Sequence, residues 1–174
     1  VVKKDFNLGS VRYQSSFEKY FREMFSEKKL VYETVSEFTY SLLVSRSSPL
    51  AAKDDFSLDE LGSYIEITHA DPYVPTLPLI DVKKAELSEY VDKHIYVFER
   101  ASQFVLLGKV PNTFMWVSPI PQHFLDDYDL VAKRCSKNNK VYKDVLIYRK
   151  DYHLTDLDKQ FITDVCNAKH VCFK

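Results

Sequence analysis

The sequence predicts an α+β (or mixed α/β) fold, a mixed sheet of about five strands covered by roughly three to four helices. Three observations predict it. From residue 79 onward the apolar spacing switches between helical and strand periods, in the order helix, strand, strand, helix, strand, helix, strand. Apolar residues make up 45% of the 174, enough for a packed core rather than a disordered chain. Glycine occurs only at Gly9, Gly62 and Gly108, so the clustered glycines that phosphate-cradling and dinucleotide-binding turns require are missing.

Residues 1–14 read as an N-terminal arm and 15–174 as a single globular domain. Ser15 with Glu18 fits a capping box, which opens a helix with Phe17, Tyr20, Phe21 and Met24 on one side. Leu30–Arg46 carries both periods at once, and its Thr, Tyr and Val content assigns a strand to residues 37–46. Ser47–Asp55 is a loop by composition. Ser57 with Glu60 opens a short helix closed by Gly62, and residues 63–69 alternate as a strand. Pro72, Pro75 and Pro78 each remove a backbone donor, so their segment reads as an extended ridge.

Leu87, Val91, Ile95 and Phe98 recur at helical spacing and predict a helix over residues 84–100, around which the rest packs. Phe104–Val110, short and aliphatic and stopped by Pro111, predicts a buried strand. Thr113–Ser118 predicts its hairpin partner, turned by Pro111–Asn112. Pro121 suits the first turn of a helix carrying Phe124, Tyr128, Val131 and Cys135. Val141–Arg149 is a strand. Thr155 caps a helix with Leu157, Phe161 and Val165 inward, and His170–Phe173 closes the chain as a short strand.

Composition narrows the function classes. Lys and Arg number 24 against 25 acidic residues, which excludes a dedicated basic nucleic-acid arm or a polybasic membrane patch. Cys135, Cys166 and Cys172 are odd in number and lack framework spacing, so they read as reduced thiols in an intracellular protein. No apolar run approaches the roughly 20 residues that span a bilayer, so no membrane partner is expected.

One constellation carries a possible chemistry. Asp71 precedes Asp81 by ten positions, and Lys83 lies two residues past Asp81, on the same face of a strand. Paired carboxylates hold a divalent metal, and such a lysine orients the attacking water. The pattern resembles that of PD-(D/E)xK nucleases. The resemblance implies Asp71 and Asp81 as ligands of Mg2+ or Mn2+, Lys83 as the catalytic lysine, nucleic acid as substrate, and Glu66 or His69 as an added ligand. The competing reading is a loop of solvated charges running into a helix. Cys166, His170 and Cys172 lack the tight pairs of a zinc site. His153-Leu154-Thr155 is half of a paired His-x-Thr pattern, explained by Thr155 as a helix cap. Glu66 with His69, and Asp126 with Asp127 and Asp129, read as exposed polar faces.

Trp116, the single tryptophan, alternates with Phe114 and points with it either into the core or outward as a stacking platform. Two functions follow. The first is a non-enzymatic protein-interaction or regulatory domain without cofactor, recognising a protein partner through an aromatic and proline surface at Tyr73, Val74 and Trp116. The alternative is the metal-dependent nuclease of Asp71, Asp81 and Lys83.

Overall fold

The computed structural model describes residues 1–2, 6–69 and 90–172, with residues 171 and 172 described by backbone alone. The chain splits into two compact units, one of Val1–Tyr40, Ser118–Pro121 and Asn138–Lys174, the other of Ser41–Val117 and Gln122–Lys137.

In the first unit, strands β1 (Leu8–Gln14), β2 (Leu30–Thr39) and β8 (Val141–Arg149) lie in the order β1-β8-β2, both outer strands antiparallel to β8. Leu8–Gln14 falls within the expected arm, yet it pairs residue for residue with β8 from Leu8↔Tyr148 to Gln14↔Tyr142. Helix α1 (Glu18–Glu27) buries Phe21 and Phe25, which sit one turn apart. Phe21 stacks on Tyr13 with ring centroids 4.4 Å apart, and Phe25 meets Tyr32 at 5.4 Å. The helix stops where Lys29 takes a positive φ of 53°, and Leu30 begins β2 immediately afterwards. Across the sheet, Arg12 grips Asp144 with two hydrogen bonds of 2.6 and 2.8 Å while lying 4.9 Å over the Phe38 ring.

Helix α4 (Asp156–Cys172) closes the first unit. The Asp158 N–H donates to Thr155 Oγ1 (3.2 Å), and the Thr155 N–H donates to the Asp158 carboxylate (2.8 Å), a reciprocal cap that explains His153-Leu154-Thr155 without catalysis. Two expectations fail here. Leu157 and Phe161 are 80% and 49% exposed, whereas Val165 is half-buried as expected, together with Ile162 and Cys166. Residues 170–172 continue the helix rather than forming a strand, since no break interrupts its hydrogen bonding before Cys172.

The second unit holds the mixed five-stranded sheet. Its strands are β3 (Ser41–Ser45), β4 (Ile65–His69), β5 (His94–Val97), β6 (Thr113–Val117) and β7 (Leu130–Lys133), in the order β5-β4-β6-β3-β7. β4 runs parallel to β5 and β6, whereas β3 is antiparallel to β6 and β7. Central position explains the unbroken apolar run Leu42-Leu43-Val44, which is fully buried on both faces. Leu42, Val44, Leu50, Phe56, Leu61, Val91, Phe114 and Cys135 form one core cluster. Ser57 opens a 3-10 turn, its N–H bonded to Glu60 Oε1 at 3.0 Å.

The predicted organising helix and the strand after it exchange roles. Residues 94–97 are strand β5, and residues 100–109 are helix α2 (Arg100–Lys109). The remainder of the predicted 84–100 helix up to residue 89, and the Pro72–Pro78 ridge, lie outside the described residues. The helical spacing of Ile95 and Phe98 is coincidental, since Phe98 is 73% exposed beyond the strand. Glu99 instead provides the helix start, accepting from the Ser102 N–H at 3.2 Å. Phe104 and Leu107 then turn inward on α2, which a strand reading of 104–110 obscured. Pro111–Asn112 therefore links a helix to β6 and turns no hairpin. The helix expected after Pro121 is short, α3 (Gln122–Asp127), because Asp129 at φ 54° redirects the chain into β7 before Val131. Similarly, the expected strand 37–46 is two strands meeting at Tyr40.

Candidate functional site

The carboxyl ends of the parallel strands in the second unit converge on one edge. β4 ends at His69, β5 at Val97 and β6 at Val117. From β4 the chain proceeds to β5 on one side, then through α2 to β6 on the other, so the connection reverses between β4 and β6. Open sheets of parallel strands bind ligands in the crevice at such a reversal, where the departing loops splay apart.

Local chemistry holds this edge in place. Gln103, fully buried on the first turn of α2, donates from Nε2 to the Val97 carbonyl at 3.3 Å and accepts from Arg100 Nη1 at 2.9 Å. The end of β5 is thereby tied to the helix that follows it. Toward the amino ends of the same strands, Glu66 stands opposite His94, the first residue of β5, and Phe114 on β6. Glu66 is only 4% exposed, and its carboxylate lies 3.7 Å from His94 Nε2. Burial of the ring holds the His94 pKa below its ordinary value, and the nearby Asp92 charge, which raises it, does not offset that.

That depression has a measurable consequence. The folded chain binds fewer protons at His94 than the unfolded chain does. Its contribution to stability is therefore present above the unfolded value of about 6.5 and is lost as pH falls through the lower folded value. The thermal midpoint of the wild-type chain is expected to drop on acidification below that pH more steeply than that of His94→Gln. Parallel curves for the two would show that His94 does not couple to unfolding.

The sequence-derived site residues divide in two. Asp71, Tyr73, Val74, Asp81 and Lys83 lie outside the described residues. Trp116 is described: it is half-buried on β6 and meets Phe114 edge-to-face at 6.3 Å, both rings packing on the core cluster as strand alternation requires. Asp126 and Asp129 are exposed as expected, but they hold Arg46 at 3.2 and 2.9 Å. Glu66 corrects its reading as part of an exposed face. Ile65 and Ile67 point to the face opposite Glu66 in the strand, so the sequence carried no signal of this burial. His94 was hidden by its assignment to a helix. Among the described residues no group of three or more His, Cys, Asp or Glu side chains is placed to hold a metal ion, and Cys135 and Cys166 are free thiols.

Among the described residues no helix is long and apolar enough to cross a membrane. No protein-family model matches the chain, and no curated protein sequence does. Solved structures do share its fold. The regulatory domain of MetR, a LysR family regulator from N. meningitidis, aligns with 95% of this chain and 69% of its own, at 13% identity and a TM-score of 0.57. The effector-binding domain of QuiR, solved in complex with shikimate, aligns with 96% of this chain and 73% of its own, at 17% identity and a TM-score of 0.60. The regulatory domain of OxyR2 from Vibrio vulnificus gives 95% and 73%, at 12% identity and a TM-score of 0.61. The chain therefore has the fold of LysR-type regulatory domains.

Proposed function

We propose that this chain is a non-enzymatic regulatory domain that binds a small organic effector. The site is the crevice at the carboxyl ends of β4 and β6. The observation that carries this reading is the sheet order β5-β4-β6-β3-β7, with its reversal between β4 and β6, in a fold shared over nearly the whole chain with effector-binding domains. Function rests here on a site built at a fold-specific place, not on fold alone. His69, exposed at the end of β4, is the described side chain nearest the reversal in sequence.

The test is calorimetric titration of a panel of small hydroxylated and carboxylic metabolites, with shikimate as the first probe, alongside thermal unfolding. A bound effector at a hundredfold excess over its Kd stabilises by about 2.7 kcal/mol. His69→Ala is expected to weaken the best ligand by about tenfold, or roughly 1.4 kcal/mol. A panel in which nothing titrates would sink the reading.

Recognition of a protein partner through Tyr73, Val74 and Trp116 is the finer form of the regulatory expectation. Trp116 supports it weakly, since much of its ring is spent on the core cluster. The nuclease reading of Asp71, Asp81 and Lys83 draws no support from the fold likeness.

A further inference from the structure

The carboxyl edge of the five-stranded sheet carries a cation that is built into its frame. Val97, the last residue of β5, pairs with His69, the last residue of β4. The Val97 carbonyl accepts from Gln103 Nε2 at 3.3 Å, and Gln103 Oε1 accepts from Arg100 Nη1 at 2.9 Å. Two hydrogen bonds thus link the Arg100 guanidinium to the residue beside His69.

The guanidinium is also fixed from a second side. It lies 5.9 Å over the ring of Phe104, one turn further along α2. Phe104 is buried and meets Phe124 of α3 at 5.3 Å. Since α3 follows β6, Arg100 stands on the side of α2 that packs against the exit of β6, while Gln103 ties it to the exits of β5 and β4. Arg100 is exposed, whereas Gln103 is 0% exposed. A buried amide is costly unless both of its ends are bonded, and here the bonds it makes orient a surface charge. Glu99, the neighbouring carboxylate, is engaged in the helix cap, where it accepts from the Ser102 N–H at 3.2 Å and from the Ser102 hydroxyl.

We infer that Arg100 is a specificity-determining residue of the effector crevice and that the effector is an organic carboxylate. The inference rests on the crevice reading above and names the class of ligand it admits. A guanidinium carries five N–H donors, so its bond to Gln103 is compatible with a second, forked pair to a carboxylate. The primary amide of the same acid fits poorly, because its NH2 turns a donor toward a donor. Gln103 acts through Arg100 as a positioning residue: it fixes the fork before the ligand arrives, which lowers the ordering cost of binding.

The test sets acids against their own neutral amides. Shikimate, benzoate and 4-hydroxybenzoate, each beside its primary amide, are titrated calorimetrically into the 174-residue chain and into Arg100→Gln and Arg100→Lys. The expected result is an acid bound at least about tenfold more tightly than its amide. Arg100→Gln is expected to bring that acid down to the level of its amide. Arg100→Lys recovers part of the difference, because the charge is kept and the fork is lost. An amide that binds as tightly as its acid overturns the inference. So does an equal weakening of acid and amide by Arg100→Gln, which would make Arg100 a support of the crevice and no more. Both of those results leave effector binding at the crevice standing. Acids and amides that all fail to titrate would remove the crevice reading and this inference with it.

Discussion

Truncating Phe114 to alanine is expected to cost about 3–5 kcal/mol, the range for removing a fully buried aromatic ring from a core that cannot collapse around the gap. Phe114 is 0% exposed on β6, and its neighbours on the adjacent strands are Glu66 and Val44. The core cluster of Leu42, Val44, Leu50 and Leu61 thereby loses one of its two phenylalanines. Trp116, the single tryptophan, sits edge-to-face with this ring, so its emission reports the change directly. Denaturant unfolding followed by that emission gives the shift in midpoint. Phe114→Leu keeps most of the volume and is expected to recover more than half of the loss. A cost below about 1 kcal/mol for the alanine would mean that β6 is not central to the second unit.

The elements read correctly share a property: a local signal agreed with their place in the fold. β8 is predicted to the residue as Val141–Arg149, and β6 to within one residue, because short β-branched runs were bounded by polar turns. Capping chemistry likewise placed the starts after Ser57 and Thr155. The errors arose where a period of a few residues fits two structures. Phe104–Val110 looks like a buried strand until Glu99 is recognised as the cap that begins the helix. His94–Val97 looks helical because its strand partner, β4, lies about 30 residues away and leaves no local trace. Division into two units was illegible for the same reason. Tyr40 and Ser41 fall in different units with no proline, glycine or composition shift between them. Of the candidate site, the strand that ends at His69 was legible, but the burial of Glu66 was not. The crevice itself was not, since it exists only once strand order is known.

Phe25→Ala is expected to destabilise the first unit by a similar amount, about 3–5 kcal/mol. Aromatic content alone does not predict such sensitivity, because the twelve phenylalanines occupy very different settings. Phe25 is 0% exposed and bridges Phe21 and Tyr32, so it fixes α1 against the sheet. Phe161 on α4, at 49% exposed, buries about half of its surface, and its replacement by alanine is expected to stay within about 0.5–1 kcal/mol. The contrast bears on β1 as well. Tyr13 of that strand stacks on Phe21, so a loosened α1 leaves β1 without cover on one face while its outer edge is unpaired among the described residues. Amide exchange is then expected to accelerate first in β1 and α1, with β8 following because it is bonded on both sides. Equal acceleration across β1, β8 and β2 would instead mean that the first unit opens as one cooperative piece, with α1 holding no strand in particular.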